Sequence, residues 1–387
     1  MRLHDSYAQN LILWYNNAGD NMKKIFLILT AALLLTACKS EVSLSKHNEQ
    51  ILDAGFDTFI QLLAYTEDDE TYEAYLKQVN ETYQYYNKMF DRYHTYDGIN
   101  NIKTINDQAG KAPVKVDSEL IELLSETKKY SEISNGQYDV TFGAVLEIWH
   151  QYREAATSGG KAAIPSKKEL DEAKKHTGWD KIEIDPKAQT VYINDPKASL
   201  DLGSAAKGYA TELCAKQLEK QGLKHAIINA GGNVRIIGNK PDADAWSVGI
   251  QLPSNEVSSS LATVKIDKNQ SFVTSGDYQR AYEYKGKMYH HIIDPHTLMP
   301  ATHMRSLTIV TKDSGIADIL STTLFTLSYE EGNQLLQQLK KEGIEAEAVW
   351  VFDDTTPLPD SVSYEKSGNY RLVISEGLKN QIEVKNN

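Results

Sequence analysis

Between residues 68 and 90, the side chains Leu76, Val79, Tyr83, Tyr86 and Phe90 recur at three- and four-residue steps. That spacing gathers them on one face and predicts an amphipathic helix. Leu120, Leu123, Leu124, Thr127 and Tyr130 repeat the pattern over 119–133, with Asn135-Gly136 as the stop. At 181–193 the period changes to two. Ile182 and Ile184, then Val191 and Ile193, flank the turn Asp185-Pro186-Lys187-Ala188, which predicts a β-hairpin.

Residues 56–65 are rich in strand formers and open the fold; 225–238, 246–252, 261–267, 287–293 and 346–352 read as later strands. Residues 314–327 and 329–342 read as helices, and 200–222 as a glycine-containing loop running into a helix. The stretch 158–176 starts rich in Gly and Lys and turns helical, a surface elaboration. Strand clusters mixed with helices, without a regular strand–helix–strand rhythm, predict an α+β fold. The expectation is one large domain of mixed or antiparallel sheets with packed helices.

The N-terminus reads differently. Lys23 and Lys24 precede the apolar run 25–35, which ends in Leu35-Thr36-Ala37-Cys38. The run is too short for a comfortable membrane span and has the form of a secretory signal. Its end resembles a bacterial lipobox, in which Cys38 is lipidated and becomes the first mature residue. Met22 suits that signal better than Met1 as the start. The chain thus divides into an upstream extension and signal (1–37), a lipid-anchored flexible tether (38–50) and the folded body (51–387). The expected location is the outer face of the cell membrane. With Cys38 consumed by acylation, the one other cysteine, Cys214, has no intrachain partner and reads as a small core residue.

Composition narrows the class. The chain of 387 residues carries 41 basic and 53 acidic side chains, a net charge of −12. Such a balance argues against a non-specific nucleic-acid binder, which needs a basic face to neutralise phosphates.

Three constellations carry candidate chemistry. In Asp201-Leu-Gly-Ser-Ala-Ala-Lys207, a glycine-bearing turn feeds a helix, whose free N–H groups and dipole form a phosphate cradle that Lys207 reinforces. By itself the pattern equally fits a helix start with a solvated lysine. In Tyr289-His290-His291-Ile292-Ile293-Asp294-Pro295, strand alternation sends the two histidines to opposite faces, so one at most enters a given site. Asp318 and Thr322, four apart on a helix, offer a carboxylate and a hydroxyl to one hard cation. Alone, the pair also fits an aspartate near a helix start plus a back-bonded threonine. Gly231-Gly232-Asn233 and Thr274-Ser275-Gly276-Asp277 are turn candidates that let a flat ring or phosphate approach the backbone.

Taken in order, six segments resemble the ApbE family of FAD:protein FMN transferases: YDVTFGAVLEIW (138–149), SLDLGSAAKGYA (199–210), INAGGN (228–233), TSGDY (274–278), HHIIDPHT (290–297) and ADILSTTLFTLS (317–328). The resemblance covers about residues 54–350 and implies the family's T-fold-related architecture. It implies a magnesium ion held by Asp318, Thr322 and the Ser204 carbonyl. It implies FAD contacts at Phe56, Tyr96, Gln137, Tyr138, Asp139, Asp201, Lys207 and Ile293, and a proton-transfer role for His291. The implied substrates are FAD and an exported or membrane acceptor protein bearing a flavinylation motif, with catalysis at Asp318 and His291. An FAD pyrophosphatase and a non-catalytic FAD-binding lipoprotein would use the same pieces. Two departures stand out. Asn233 replaces the family's aspartate, and Leu298 replaces a glycine, so the turn after Thr297 should avoid a glycine-only conformation.

Overall fold

The computed structural model describes residues 43–254 and 259–385. The signal segment, Met22 and Cys38 lie outside the described residues.

The strands are β1 (Ser45–Ile51), β2 (Ile60–Thr66), β3 (Val114–Lys115), β4 (Ile182–Asp185), β5 (Thr190–Ile193), β6 (Ala226–Ala230), β7 (Asn233–Ile237), β8 (Trp246–Gln251), β9 (Ser260–Ile266), β10 (Ser271–Gly276), β11 (Tyr282–Tyr284), β12 (Lys287–Tyr289), β13 (Ser306–Thr311), β14 (Ala346–Asp353), β15 (Glu365–Ser367), β16 (Tyr370–Ile374) and β17 (Ile382–Val384). The helices are α1 (Asp69–Phe90), α2 (Ile102–Asp107), α3 (Ser118–Ile133), α4 (Gly143–Thr157), α5 (Lys167–Lys174), α6 (Ala206–Lys220), α7 (Ser314–Phe325) and α8 (Tyr329–Lys341).

The main sheet runs β1-β2-β6-β7-β10-β13-β14-β16-β15, and every pairing in it is antiparallel. This matches the expected α+β class. Several helix boundaries have a local cause. Asp68 caps α1 by accepting the Thr71 N–H, and Ser328 and Glu331 form a reciprocal capping box on α8. α3 ends where Asn135 and Gly136 take positive φ, as the sequence signals.

Four expectations change. Residues 45–50 are not tether: they form edge strand β1, paired with β2 from Ser45↔Thr66 to Ile51↔Ile60. Their polar composition suits an edge, and His47 gains burial by stacking on Tyr72 at 4.6 Å. The opening strand starts at Ile60, because Phe56 and Asp57 adopt left-handed backbone. The stretch 225–238 splits at Gly231-Gly232 into β6 and β7. Strand β12 stops at Tyr289, so neither histidine after it alternates within a strand.

Sequence periodicity also missed β13, where all six residues of SLTIVT are buried. With both faces covered, no alternation remains to read. The main core joins α1, α3, α6, α7 and α8 to this sheet. A second, more aromatic core gathers Phe142, Val145, Trp149, Tyr282, Tyr289, Ile293 and Leu298. Cys214 is fully buried in the main core, as expected of a packing residue.

Candidate active site

Helix α6 begins without a side-chain cap. Its early N–H groups therefore seek partners elsewhere. Gly208 N–H donates to Asp318 Oδ2 at 2.8 Å. The first helical bond runs from Tyr209 N–H to Ala205, so the Ser204 carbonyl stays outside the ladder. Only glycine permits this contact. A Cβ on Gly208 would fall 2.3 Å from the Ser314 carbonyl and 2.5 Å from Asp318 Cβ. The sequence pattern listed Gly208 as part of a motif but gave no hint of its partner.

Burial pushes the Asp318 carboxyl up to about 6, against the opposing pull of Lys207 and the Gly208 N–H. Burial likewise lowers Lys207; Asp318 opposes that shift and Arg280 adds to it. The two form a mutually dependent charge pair in a poorly solvated place. Thr322 lies one turn beyond Asp318 on α7, and the Tyr138 hydroxyl sits 3.4 Å from Ser204 Oγ.

The donor set fits a small hard cation. One carboxylate, one hydroxyl and one carbonyl leave room for phosphate and water oxygens, the usual magnesium arrangement. Among the described residues, no cluster of three or more His, Cys, Asp or Glu forms an all-protein metal cage.

Asp201, expected to contact FAD, has both carboxylate oxygens engaged within the protein. Its Oδ1 accepts the Gly203 N–H at 2.8 Å, and its other oxygen pairs with Arg92, which also reaches Glu147 at 3.0 Å. Arg92 was not anticipated, and its ring neighbour Tyr93 lies 5.5 Å from the guanidinium. Burial first, then the charge of Asp201, raises the Tyr93 pKa, and Arg92 opposes the shift. The expected aromatic, Tyr96, turns to other partners, donating to Asp91 at 2.7 Å beneath the Lys88 ammonium.

His290 is structural: its Nε2 bonds the Ala301 carbonyl at 2.6 Å and its ring meets Phe325 edge-on. The His291 Nδ1 is buried without a hydrogen-bond partner, and the ring also bonds the Gln279 backbone. Burial first, then the charges of Arg280, His290 and Arg153, push its pKa down to about 3. It is therefore a neutral imidazole at physiological pH and, in this state of the site, a weak base.

The remaining expected contacts are partly consumed by the fold. Gln137 is buried and donates to Thr326 Oγ1 at 2.8 Å and to the Thr326 carbonyl at 3.1 Å. Asp139 accepts the Thr141 N–H at 2.8 Å, and burial raises its pKa. Ile293 belongs to the second core. Phe56 is half-buried, edge-on to Tyr83 at 6.0 Å.

Residues 56–347 match the family model named ApbE family. The chain belongs to the ApbE family. It is 30% identical over 252 residues to the FAD:protein FMN transferase of Klebsiella pneumoniae (strain 342), covering 63% of this chain and 73% of that one. The Treponema pallidum (strain Nichols) protein of the same name is 32% identical over 267 residues, 65% and 71% of the two chains. The solved ApbE protein of Thermotoga maritima superposes with a TM-score of 0.67 at 27% identity, over 79% of this chain and 94% of its own. The flavinyl transferase ApbE of Pseudomonas stutzeri gives a TM-score of 0.68 at 21% identity over 87% and 97%, a likeness of fold.

Both departures from the ApbE pattern lie at buried positions, and Asn233 leaves its Nδ2 there without a hydrogen-bond partner. Asn233 is fully buried and accepts the Ser314 hydroxyl at 2.6 Å, at the start of α7. Leu298 does not escape the left-handed region: its φ is +63°. That region is strained for leucine but, unlike the truly glycine-only region, accessible. Burial of its side chain in the second core, and a 2.9 Å bond from Trp149 Nε1 to its carbonyl, offset the strain.

Proposed function

We propose that this protein is a transferase that moves the FMN half of FAD onto a serine or threonine hydroxyl of an acceptor protein. The reading is supported by family membership and by relatives named for that reaction. The observation that carries it is the Gly208–Asp318 contact, which ties the start of α6 to a buried carboxylate and leaves the Ser204 carbonyl outside the helix ladder.

In the reaction, the acceptor oxygen bonds to the phosphorus on the FMN side. The bond from that phosphorus to the bridging oxygen breaks, and AMP leaves with the bridging oxygen. Asp318, Thr322 and the Ser204 carbonyl would hold a magnesium ion, which when bound draws charge from the diphosphate. Lys207 supplies a second positive charge at the start of α6. His291 is the residue assigned to take the acceptor hydroxyl's proton, a role that requires the negative charge of bound substrate to offset Arg280 and Arg153 and raise its basicity. Tyr138 holds the Ser204 loop from the side.

Lipidation at Cys38 would anchor this activity on the outer face of the cell membrane, limiting acceptors to exported or membrane proteins. Among the described residues no helix is long and apolar enough to cross a membrane. Radiolabelled palmitate incorporation, lost in Cys38→Ala, tests the anchor.

The reaction is tested by incubating the protein with FAD, magnesium and a fragment bearing a flavinylation motif. Covalently fluorescent acceptor plus AMP is the expected result. Free FMN plus AMP would make it a pyrophosphatase, and intact FAD a binding protein; either overturns the proposal.

A further inference from the structure

Residues 55–57 run through three successive left-handed conformations, with φ of +105° at Gly55, +59° at Phe56 and +52° at Asp57. A bulky aromatic is uncommon there, and such strain persists only where neighbours over-determine it. The neighbours are identifiable. Asn87 on α1 lays its side chain against Gly55, where an added Cβ would fall 2.5 Å from Asn87 Cγ. Its Oδ1 also accepts the Phe56 N–H at 2.8 Å.

The same helix face holds the Phe56 ring. Tyr83, one turn before Asn87, meets that ring edge-on. Its hydroxyl lies 2.7 Å from Thr211 Oγ1 on α6, and Thr211 donates to the Lys207 carbonyl at 2.8 Å. On the other side, Gly231 lies so close to Thr58 that a Cβ would fall 2.1 Å from its Oγ1. The turn is therefore gripped between α1 and the β6–β7 turn, in register with the Lys207 end of α6.

We propose that Asn87 is a positioning residue for FAD: it locks the 55–57 turn left-handed so that Phe56 is presented to the flavin in register with Lys207. The assignment rests on the reading of Phe56 as an FAD contact. Asn87 acts through the backbone, by occupying the only space a Gly55 side chain could use and by satisfying the Phe56 N–H.

The test measures FAD affinity by flavin fluorescence quenching, alongside the transfer rate at saturating FAD. Asn87→Ala leaves the Phe56 N–H without its acceptor and should weaken FAD binding roughly tenfold, with kcat changed less than about twofold. Asn87→Asp keeps an acceptor oxygen in place and should restore affinity to within about twofold of wild type. Gly55→Ala should weaken binding in the wild-type background and add less in the Asn87→Ala background, since the two residues share one contact. Unchanged FAD affinity in Asn87→Ala overturns the assignment. So does a loss of Tm and kcat together that Asn87→Asp fails to rescue, which would mark a merely structural residue. Wild-type protein without FAD affinity would overturn the functional reading, and this assignment with it.

Discussion

At the contact between α6 and α7, Gly208 lies against the Ser314 carbonyl and Asp318, and the site exists because a side chain is missing. In the turn from Ile293 to Pro300, the opposite holds: Trp149, Tyr289 and Leu298 fill the second core and force a leucine into left-handed backbone. The first region stores its cost as buried charge, in a carboxyl shifted up to about 6 beside a depressed lysine. The second stores it as backbone strain. The difference teaches that charge and close backbone approach define the candidate metal end. Apolar bulk fixes the end that carries His291.

The contrast can be broken most severely at Gly208. Gly208→Val should destabilise the protein by about 3 kcal/mol and abolish transfer, because the nearest clashing atoms are the Ser314 backbone carbonyl and Asp318 Cβ, neither of which can move without its helix. Thermal unfolding and acceptor labelling check it; a variant with wild-type Tm would show that the helices separate freely.

Asp318→Asn sharpens the charge side. Transfer should fall at least about a hundredfold. Stability should move the other way. The folded pKa lies above the unfolded value, so the fold prefers the protonated acid, and stability declines as pH rises from 3.8 through about 6. In chelator-treated protein at pH 8, the variant should be more stable than wild type by up to about 3 kcal/mol, with the gap closing near pH 4. A gap independent of pH would refute the buried-carboxylate account.

His291 should show no protonation step between pH 5 and 8 when its imidazole signal is followed by NMR, since burial and the facing cations hold its pKa near 3. His291→Gln should slow transfer roughly a hundredfold with FAD binding retained. A midpoint near 6.5 would place the ring in solvent instead.

The smallest effect separates strain from burial at Leu298. Leu298→Ala and Leu298→Gly both lose apolar contact, but only glycine relieves the positive φ. Leu298→Gly should therefore be the more stable of the two by about 1 kcal/mol, inverting the usual order. Equal unfolding midpoints would mean that the turn carries no strain.

Much of the secondary structure was legible because its causes are local. The α1 and α3 periodicities, the Asn135-Gly136 stop and the β4–β5 hairpin all formed where the residues indicated. The errors fell where tertiary context overrode local preference. Polar 45–50 became an edge strand because β2 offered a partner, and Phe56 left the strand because Asn87 grips its turn. Within the candidate site, Asp201, Ser204, Lys207, Asp318 and Thr322 were readable as motif positions. Arg92, Tyr93, Arg153 and Arg280 were not, since none belongs to a local pattern that signals chemistry.

The sequence by itself determined most of the helices, the β4–β5 hairpin, the family and the chemical types at the site, because caps, periodicity and glycine turns act over a few residues. Only the tertiary structure decided which groups meet: Arg92 with Asp201, Gly208 with Asp318, Asn87 with Phe56. Those pairs lie 109, 110 and 31 residues apart. Their meeting depends on how sheet and helices close around one core, which also sets the burial that shifts Asp318 and His291 in opposite directions.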